Sequence, residues 1–253
     1  MPETGPIHGD AATVVILRDG PDGVEVLLLE RHGRGSFAGA WAFPGGTVDP
    51  EDGLIGAVEV AGTAGAGRTA SAAGTARADD AGASPHDAPL AVRRAAVRET
   101  REETRLRLTE DALVGLSVWV PPQRAEKRLR TWFFVAADPG GDVVLNDGEH
   151  VAYAWVTPAV ALERHGAGEM VLFPPTWVTL HGLLGAETAA LAIADAASRA
   201  PELYASLQLF AGDGQIEAVL WAGDAQYGNE AAMGPARHRL QMSSLPWVYE
   251  RSE

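Results

Sequence analysis

The chain has 253 residues with 34 acidic and 20 basic side chains, a formal charge of −14 with His neutral, and a sequence pI of about 4.9; this balance argues against non-specific nucleic-acid binding and against attachment to an anionic membrane. Cysteine does not occur, which excludes disulfide scaffolds, thiolate zinc, iron–sulfur clusters and Cys nucleophiles, so any metal must be held by oxygen or nitrogen. At 46% hydrophobic and 21% charged the composition is that of a globular protein, long enough for one enlarged domain or one domain with a smaller companion.

The N-terminus, MPETGPIHGD, has no basic region followed by an apolar one, and no run reaches the roughly 18 apolar residues needed to span a bilayer, so the expected location is the cytoplasm. Residues 11–17 (AATVVIL) and 24–32 (VEVLLLERH) are strand-like and flank the turn sequence DGPDG, which predicts a hairpin. An aromatic segment, 36–43, then leads into Pro44-Gly45-Gly46, where paired glycines let a ligand come close to the backbone. Residues 61–85 are dominated by Ala, Gly, Ser and Thr without one large apolar side chain. Such a segment has nothing to bury, and a mobile insertion is expected across residues 53–90.

Strong helix formers follow at residues 91–108, with Val92, Ala95, Ala96 and Thr100 on one side and charge elsewhere. Strands are expected at 112–120, 129–137, 142–145 and 151–156, arranged as a meander, and helices at 158–163 and 176–200, the second broken near 182–185. QIEAVLWAG and HRLQMSSLPWVYE suggest short strands in the last fifty residues. Helices therefore flank a sheet, and the segment beyond residue 180 is expected either to cover the active site or to support a homodimer.

The chemistry concentrates in Arg98-Glu99-Thr100-Arg101-Glu102-Glu103-Thr104. Glu99, Glu102 and Glu103 stand at i, i+3 and i+4, which puts three carboxylates on one helical face. Each like-charge pair costs roughly a few tenths of a kcal/mol, so positive charge must compensate. Arg98, Arg101 and Arg105 could supply it, which makes the string an ordinary solvated helix. Bound Mg²⁺ or Mn²⁺ could equally supply it, since these ions favour carboxylate and carbonyl oxygens.

With Gly45-Gly46 after an aromatic strand and Asp49, Glu51 and Asp52 behind it, the sequence resembles the Nudix hydrolase family, whose box reads G-x5-E-x7-R-E-U-x-E-E-x-G-U with U aliphatic. Gly46 falls on the glycine, Asp52 on the first Glu, residues 98–103 on REUxEE, and Leu106 on the last aliphatic. Thr100 replaces an aliphatic residue, Arg105 replaces the closing glycine, and the insertion lengthens the spacer. The resemblance covers about residues 10–180. It implies an α/β (α+β) class and the Nudix fold: a mixed β-sheet sandwiched between α-helices, with a domain over 1–180 and a C-terminal extension over 181–253.

The same resemblance implies metal-dependent hydrolysis of a diphosphate linkage in a nucleoside diphosphate derivative. Mg²⁺ or Mn²⁺ would be held by Glu99, Glu102, Glu103 and the Gly46 carbonyl, with Arg98 pairing a motif carboxylate. Glu149, between Asn146-Asp147-Gly148 and a strand, is the expected general base or extra ligand, with Asp147 in reserve. The interrupted box and the strand Arg128-Leu129-Arg130-Thr131-Trp132-Phe133-Phe134 look like the branch related to peroxisomal-type coenzyme A diphosphatases. Coenzyme A or acyl-coenzyme A is thus the expected substrate, and its phosphates would want Arg31, Arg128 and Arg130. ADP-ribose, NADH or another nucleoside diphosphate, or a non-catalytic nucleotide-binding role, are the alternatives. The seven histidines, none in an H-x-x-x-H spacing, read as structural or exposed.

Overall fold

The runs TVVIL, VLLL and WFFV are continuous rather than alternating, the pattern of strands buried on both faces. The computed structural model, which describes residues 6–33, 39–53, 88–146 and 148–252, places them at the centre of an eight-stranded mixed sheet. β1 (Gly9–Gly20) and β2 (Gly23–Arg31) form the expected hairpin. Short β3 (Trp41–Ala42) pairs with the end of β2 through Leu29↔Ala42 and Glu30↔Trp41, and β4 (Gly45–Thr47) pairs with the start of β1. β5 (Val114–Val120) and β6 (Leu129–Ala137) are antiparallel, and β6 runs parallel to β1 from Gly9↔Leu129 to Leu17↔Ala137. No helix among the described residues is long and apolar enough to cross a membrane.

The expected meander is corrected here. Residues 142–145 are not a strand, and β7 (His150–Val156) pairs antiparallel with β2 on the far side of the hairpin rather than with β6. Local turn signals could not reveal that crossover, because they mark where a strand begins and ends and not which neighbour it pairs with. The chain also makes an unforeseen strand, β8 (Glu202–Ala205), which adds parallel to β5. Residues 54–87, where most of the expected insertion falls, lie outside the described residues.

Both sheet faces are covered, and the two cores follow strand parity. Val14, Ile16, Leu27, Leu29 and Phe134 point to one face, where they meet Val92, Ala95 and Ala96 of α1 (Leu90–Thr104). Val15, Leu17, Val26, Leu28, Phe133 and Val135 point to the other, against α2 (Pro158–Gly166), α3 (Pro174–Gly182) and α4 (Ala189–Ala197). The helix–sheet–helix sandwich is the fold class the sequence indicates. Thr157 and Thr188 cap α2 and α4, accepting from the backbone N–H of Val160 and Leu191. The break expected near 182–185 is real, since α3 ends at Gly182 and α4 begins seven residues later at Ala189.

The C-terminal residues build a second, four-stranded sheet in the order β12-β11-β10-β9, from β9 (Leu207–Phe210), β10 (Ile216–Leu220), β11 (His238–Gln241) and β12 (Val248–Arg251). Its Trp221 is fully buried and meets Trp119 of β5 edge-on at 5.8 Å, while Tyr204 of β8 stacks on Trp119 at 4.1 Å. Buried Arg239 forks onto Asp224, with Nε 2.7 Å from Oδ2 and Nη2 2.5 Å from Oδ1. This sheet shares the core on the face away from α1.

Candidate active site

The buried stripe of α1 runs from Val92 to Ala95 and Ala96, then Thr100 and then Glu103, each turn contributing a residue three or four positions on from one in the turn before. Helical periodicity therefore forces an acid into the position where the next apolar residue would lie. Glu103 is buried, Glu99 is mostly covered, and Glu102 keeps 49% of its side chain exposed, so the carboxylates form a graded row from core to solvent. Burial pushes the Glu103 carboxyl up to about 8, with the charges of Glu99 and Glu149 adding to the rise and the Gly45 N–H opposing it. Burial also raises Glu99, against the opposing pull of Arg98.

Three neighbouring segments converge on this row. The first is β4, whose backbone hydrogen bonds hold it along β1: Val14 N–H donates to the Pro44 carbonyl at 2.8 Å and Val48 N–H to Asp10 at 3.0 Å. Gly45 N–H donates to Glu103 Oε2 at 2.8 Å. A Cβ on Gly46 would collide with the Glu99 carboxylate, and one on Gly45 would collide with the backbone of Ala12 and Thr13. Gly45 is therefore needed for close approach to β1, while at Gly46 a side chain would have to displace the end of Glu99.

The second segment, residues 47–53, is tied to α1 by one guanidinium. Arg98 forks onto Asp52, with Nε 3.0 Å from Oδ1 and Nη2 3.0 Å from Oδ2, and also donates to the Thr47 carbonyl at 3.0 Å and to Glu99 Oε1 at 2.9 Å. Burial pushes the Asp52 carboxyl up, but Arg98 and the Asp49 N–H outweigh it and hold it below the usual range. The motif carboxylates paired with Arg98 are thus Asp52, at the position where the family's box has Glu, and Glu99.

The third segment is the loop before β7. Helices leave their last carbonyls without intrahelical donors, and here Asn146 N–H reaches the Glu103 carbonyl at 3.2 Å while Val144 N–H reaches Thr104 at 2.9 Å. That bonding lays Glu149 and His150 beside Glu103; one ligand atom from each of Glu103, Glu149 and His150 lies within 4.8 Å of the others. Asp147 lies outside the described residues. Beside Glu149 a recess of about 420 Å³ is lined by Arg31, His32 and Gly148. α1 ends at Thr104 rather than continuing to residue 108, because Arg105 adopts φ 64° and ψ 0°, the left-handed conformation for which the family's box supplies glycine.

His150 is the residue that sequence reasoning set aside. Its side chain is 3% exposed, and its Nε2 stands 3.6 Å from Glu103 Oε1. Burial, with the charges of Arg31 and His32, pushes it down to about 4, so it is neutral at pH 7. Simple alternation would set His150 with Ala152, Ala154 and Val156, which pack in the core away from α1. A bulge prevents this: Glu30 pairs with Ala152 but Arg31 pairs with His150, and the skipped residue turns His150 toward Glu103. Nothing in the sequence marks that register shift.

The expected phosphate-binding arginines are dispersed. Arg31 lines the recess and bears on Glu103. The Arg128 side chain is buried and donates to the Pro121 carbonyl at 3.1 Å and to Pro6 at 3.4 Å; a direct contact with substrate would require giving up those bonds. Arg130 forks onto Asp10 at 2.6 and 3.1 Å and lies over Trp132.

The family model described as the NUDIX domain matches residues 88–173, from just before α1 through α2. Over that stretch the chain is similar to a NUDIX domain. Among solved structures, a NUDIX hydrolase from Alicyclobacillus acidocaldarius is 25% identical, with 76% of this chain and 97% of that one covered at a TM-score of 0.57. The MutT NUDIX hydrolase from Burkholderia pseudomallei is 21% identical over 68% of this chain and 95% of that one, with a TM-score of 0.42. The NUDIX domain of Shewanella oneidensis NrtR, solved with ADP ribose, is 14% identical over 72% and 89%, with a TM-score of 0.45. A search of curated proteins gave no match. The NUDIX match begins at residue 88, yet Gly45, Gly46 and Asp52 lie against its helix in space.

Proposed function

We propose that this protein is a divalent-metal-dependent hydrolase that cleaves the diphosphate linkage of a nucleoside diphosphate derivative. The observation that carries this reading is the row Glu99, Glu102 and Glu103 set against Gly45-Gly46 and braced by Arg98 on Asp52. Two of the three carboxyls are pushed up by burial and mutual repulsion, which is an excess of negative charge of the kind that Mg²⁺ or Mn²⁺ relieves. The residues therefore fit the metal the family uses.

In this reading Glu99, Glu102, Glu103 and the Gly46 carbonyl hold the ions. Such ions neutralise phosphate oxygens and lower the pKa of a bound water. Arg98 keeps Glu99 and the 47–53 segment in register, a task suited to its planar fork. Glu149 stands beside the same carboxylates and serves as base for the attacking water or as a further ligand. Arg31, at the recess, meets the substrate phosphate.

Coenzyme A or an acyl-coenzyme A is the proposed substrate, supported by the 128–134 strand and the interrupted box. The test is mass spectrometry of products after incubation with Mg²⁺ or Mn²⁺ and a panel of coenzyme A, acyl-coenzyme A, ADP-ribose, NADH, diadenosine polyphosphates and nucleoside triphosphates. A metal-dependent 3′-phospho-AMP product from coenzyme A supports the proposal in full. Preferential cleavage of ADP-ribose or NADH replaces the substrate while keeping the chemistry, and no product from any compound favours a nucleotide-binding module.

A further inference from the structure

A buried imidazole is costly unless its nitrogens are bonded, because burying a polar group without a partner costs about 1–3 kcal/mol. Among the described residues His150 Nδ1 has no hydrogen-bond partner, and Nε2 at 3.6 Å from Glu103 Oε1 is beyond hydrogen-bond reach. The same side chain is aimed at the Glu103 and Glu149 carboxylates by a strand bulge, a device that re-aims side chains beside functional sites. Two ligands on opposite sides of one ion stand about 4–5 Å apart when each bond is roughly 2.0–2.5 Å. The ligand atoms of Glu103, Glu149 and His150 all fall within 4.8 Å of one another.

We propose that Glu103, Glu149 and His150 together bind one divalent cation through two carboxylate oxygens and one imidazole nitrogen. The proposal rests on the metal-dependent reading above and adds to it a nitrogen ligand and a role for Glu149 as ligand rather than base. It carries a chemical consequence. Carboxylate and carbonyl oxygens suit Mg²⁺ and Mn²⁺, whereas an imidazole favours later first-row ions such as Co²⁺, Ni²⁺ and Zn²⁺. Glu103 stands at the junction, on the row with Glu99 and Glu102 on one side and beside His150 on the other, so a cation here adjoins those on the carboxylate row. The ring plays no part in positioning Glu103 by hydrogen bonding, given the separation of 3.6 Å.

The experiment reads the ligand directly. Mn²⁺ is bound to the full chain, and pulsed electron paramagnetic resonance detects ¹⁴N coupled to the ion. The expected result is an imidazole nitrogen signal in the natural chain that disappears in His150→Gln. Calorimetry then compares metals: His150→Gln lowers Co²⁺ affinity by about tenfold or more and changes Mg²⁺ affinity by less than about twofold. Bound Mn²⁺ without coupled ¹⁴N in the natural chain overturns the proposal whatever the variant does. So does an equal loss for Co²⁺ and Mg²⁺, which would mean that the substitution only disturbs packing. Bound Mn²⁺ lacking ¹⁴N, in a chain that still hydrolyses diphosphates, removes His150 and leaves the family reading standing. Failure of the natural chain to bind Mn²⁺ removes both.

Discussion

Arg105 gives a prediction that depends on backbone geometry alone. It is the sole described non-glycine residue with positive φ, at 64°, and its N–H closes the last turn of α1 on the Arg101 carbonyl at 3.0 Å. A left-handed residue with a Cβ costs about 1–2 kcal/mol, while glycine loses about 0.5–1 kcal/mol more entropy on folding. The Arg105 side chain is exposed, with no described hydrogen bond or ion pair to set against this. Arg105→Gly therefore stabilises the protein by about 0.5–1 kcal/mol, which for a chain of this size raises the melting temperature by roughly 1–4 °C. Arg105→Ala keeps the Cβ and stays within about 0.5 kcal/mol of the natural chain. Urea unfolding with an unchanged slope is the assay, and the order of midpoints is the readout. A glycine variant no more stable than the alanine variant would refute the argument that Arg105 is strained.

Other outcomes follow from the same contacts. Arg98→Lys removes the fork that joins Asp52 to α1 and is expected to lower kcat/KM by about 10- to 100-fold; steady-state kinetics at saturating Mg²⁺ checks this, and an unchanged rate counts against a positioning role for Arg98. Gly46→Ala drives a methyl into the Glu99 carboxylate, so Mg²⁺ affinity measured by calorimetry is expected to fall about tenfold or more while circular dichroism keeps its folded spectrum. Burial pushes Asp224 up, yet its bonds from Arg239, His238 and Gln226 hold it down at about 2, below its ordinary 3.8. That pair's contribution is therefore complete above pH ~4 and is lost as pH falls from 3.8 toward about 2. Asp224→Asn is expected to cost about 2–3 kcal/mol at pH 7. In urea titrations its deficit should narrow at pH 3; a deficit that is flat with pH would contradict the ion-pair assignment.

What the sequence disclosed and what it hid divide along physical lines. The α1 face was legible because helical spacing alone fixes Val92, Ala95, Ala96 and Thr100 on one side and clusters Glu99, Glu102 and Glu103. Doubly buried strands and the Gly45-Gly46 approach were legible for similarly local reasons. Pairing across the sheet was not: β1 against β6 and β2 against β7 are set by which faces close on each other, information absent from any one strand. The fork of Arg98 on Asp52 was not legible, because the two residues lie 46 positions apart and only the fold brings the guanidinium to the carboxylate. His150 was invisible because a one-residue bulge, not its own neighbourhood, decides which face it takes.

The central claim is that the acidic row on α1 holds the ions that make diphosphate cleavage possible. Its most direct test is turnover of the best substrate at saturating Mg²⁺ by the natural chain and by Glu103→Gln, an exchange that keeps the side chain's size and its ability to accept from the Gly45 N–H while removing the charge. The account predicts at least a roughly 100-fold fall in kcat while the metal-free variant keeps the folded circular dichroism spectrum of the natural chain. A folded Glu103→Gln protein that hydrolyses diphosphate at the natural rate would contradict it.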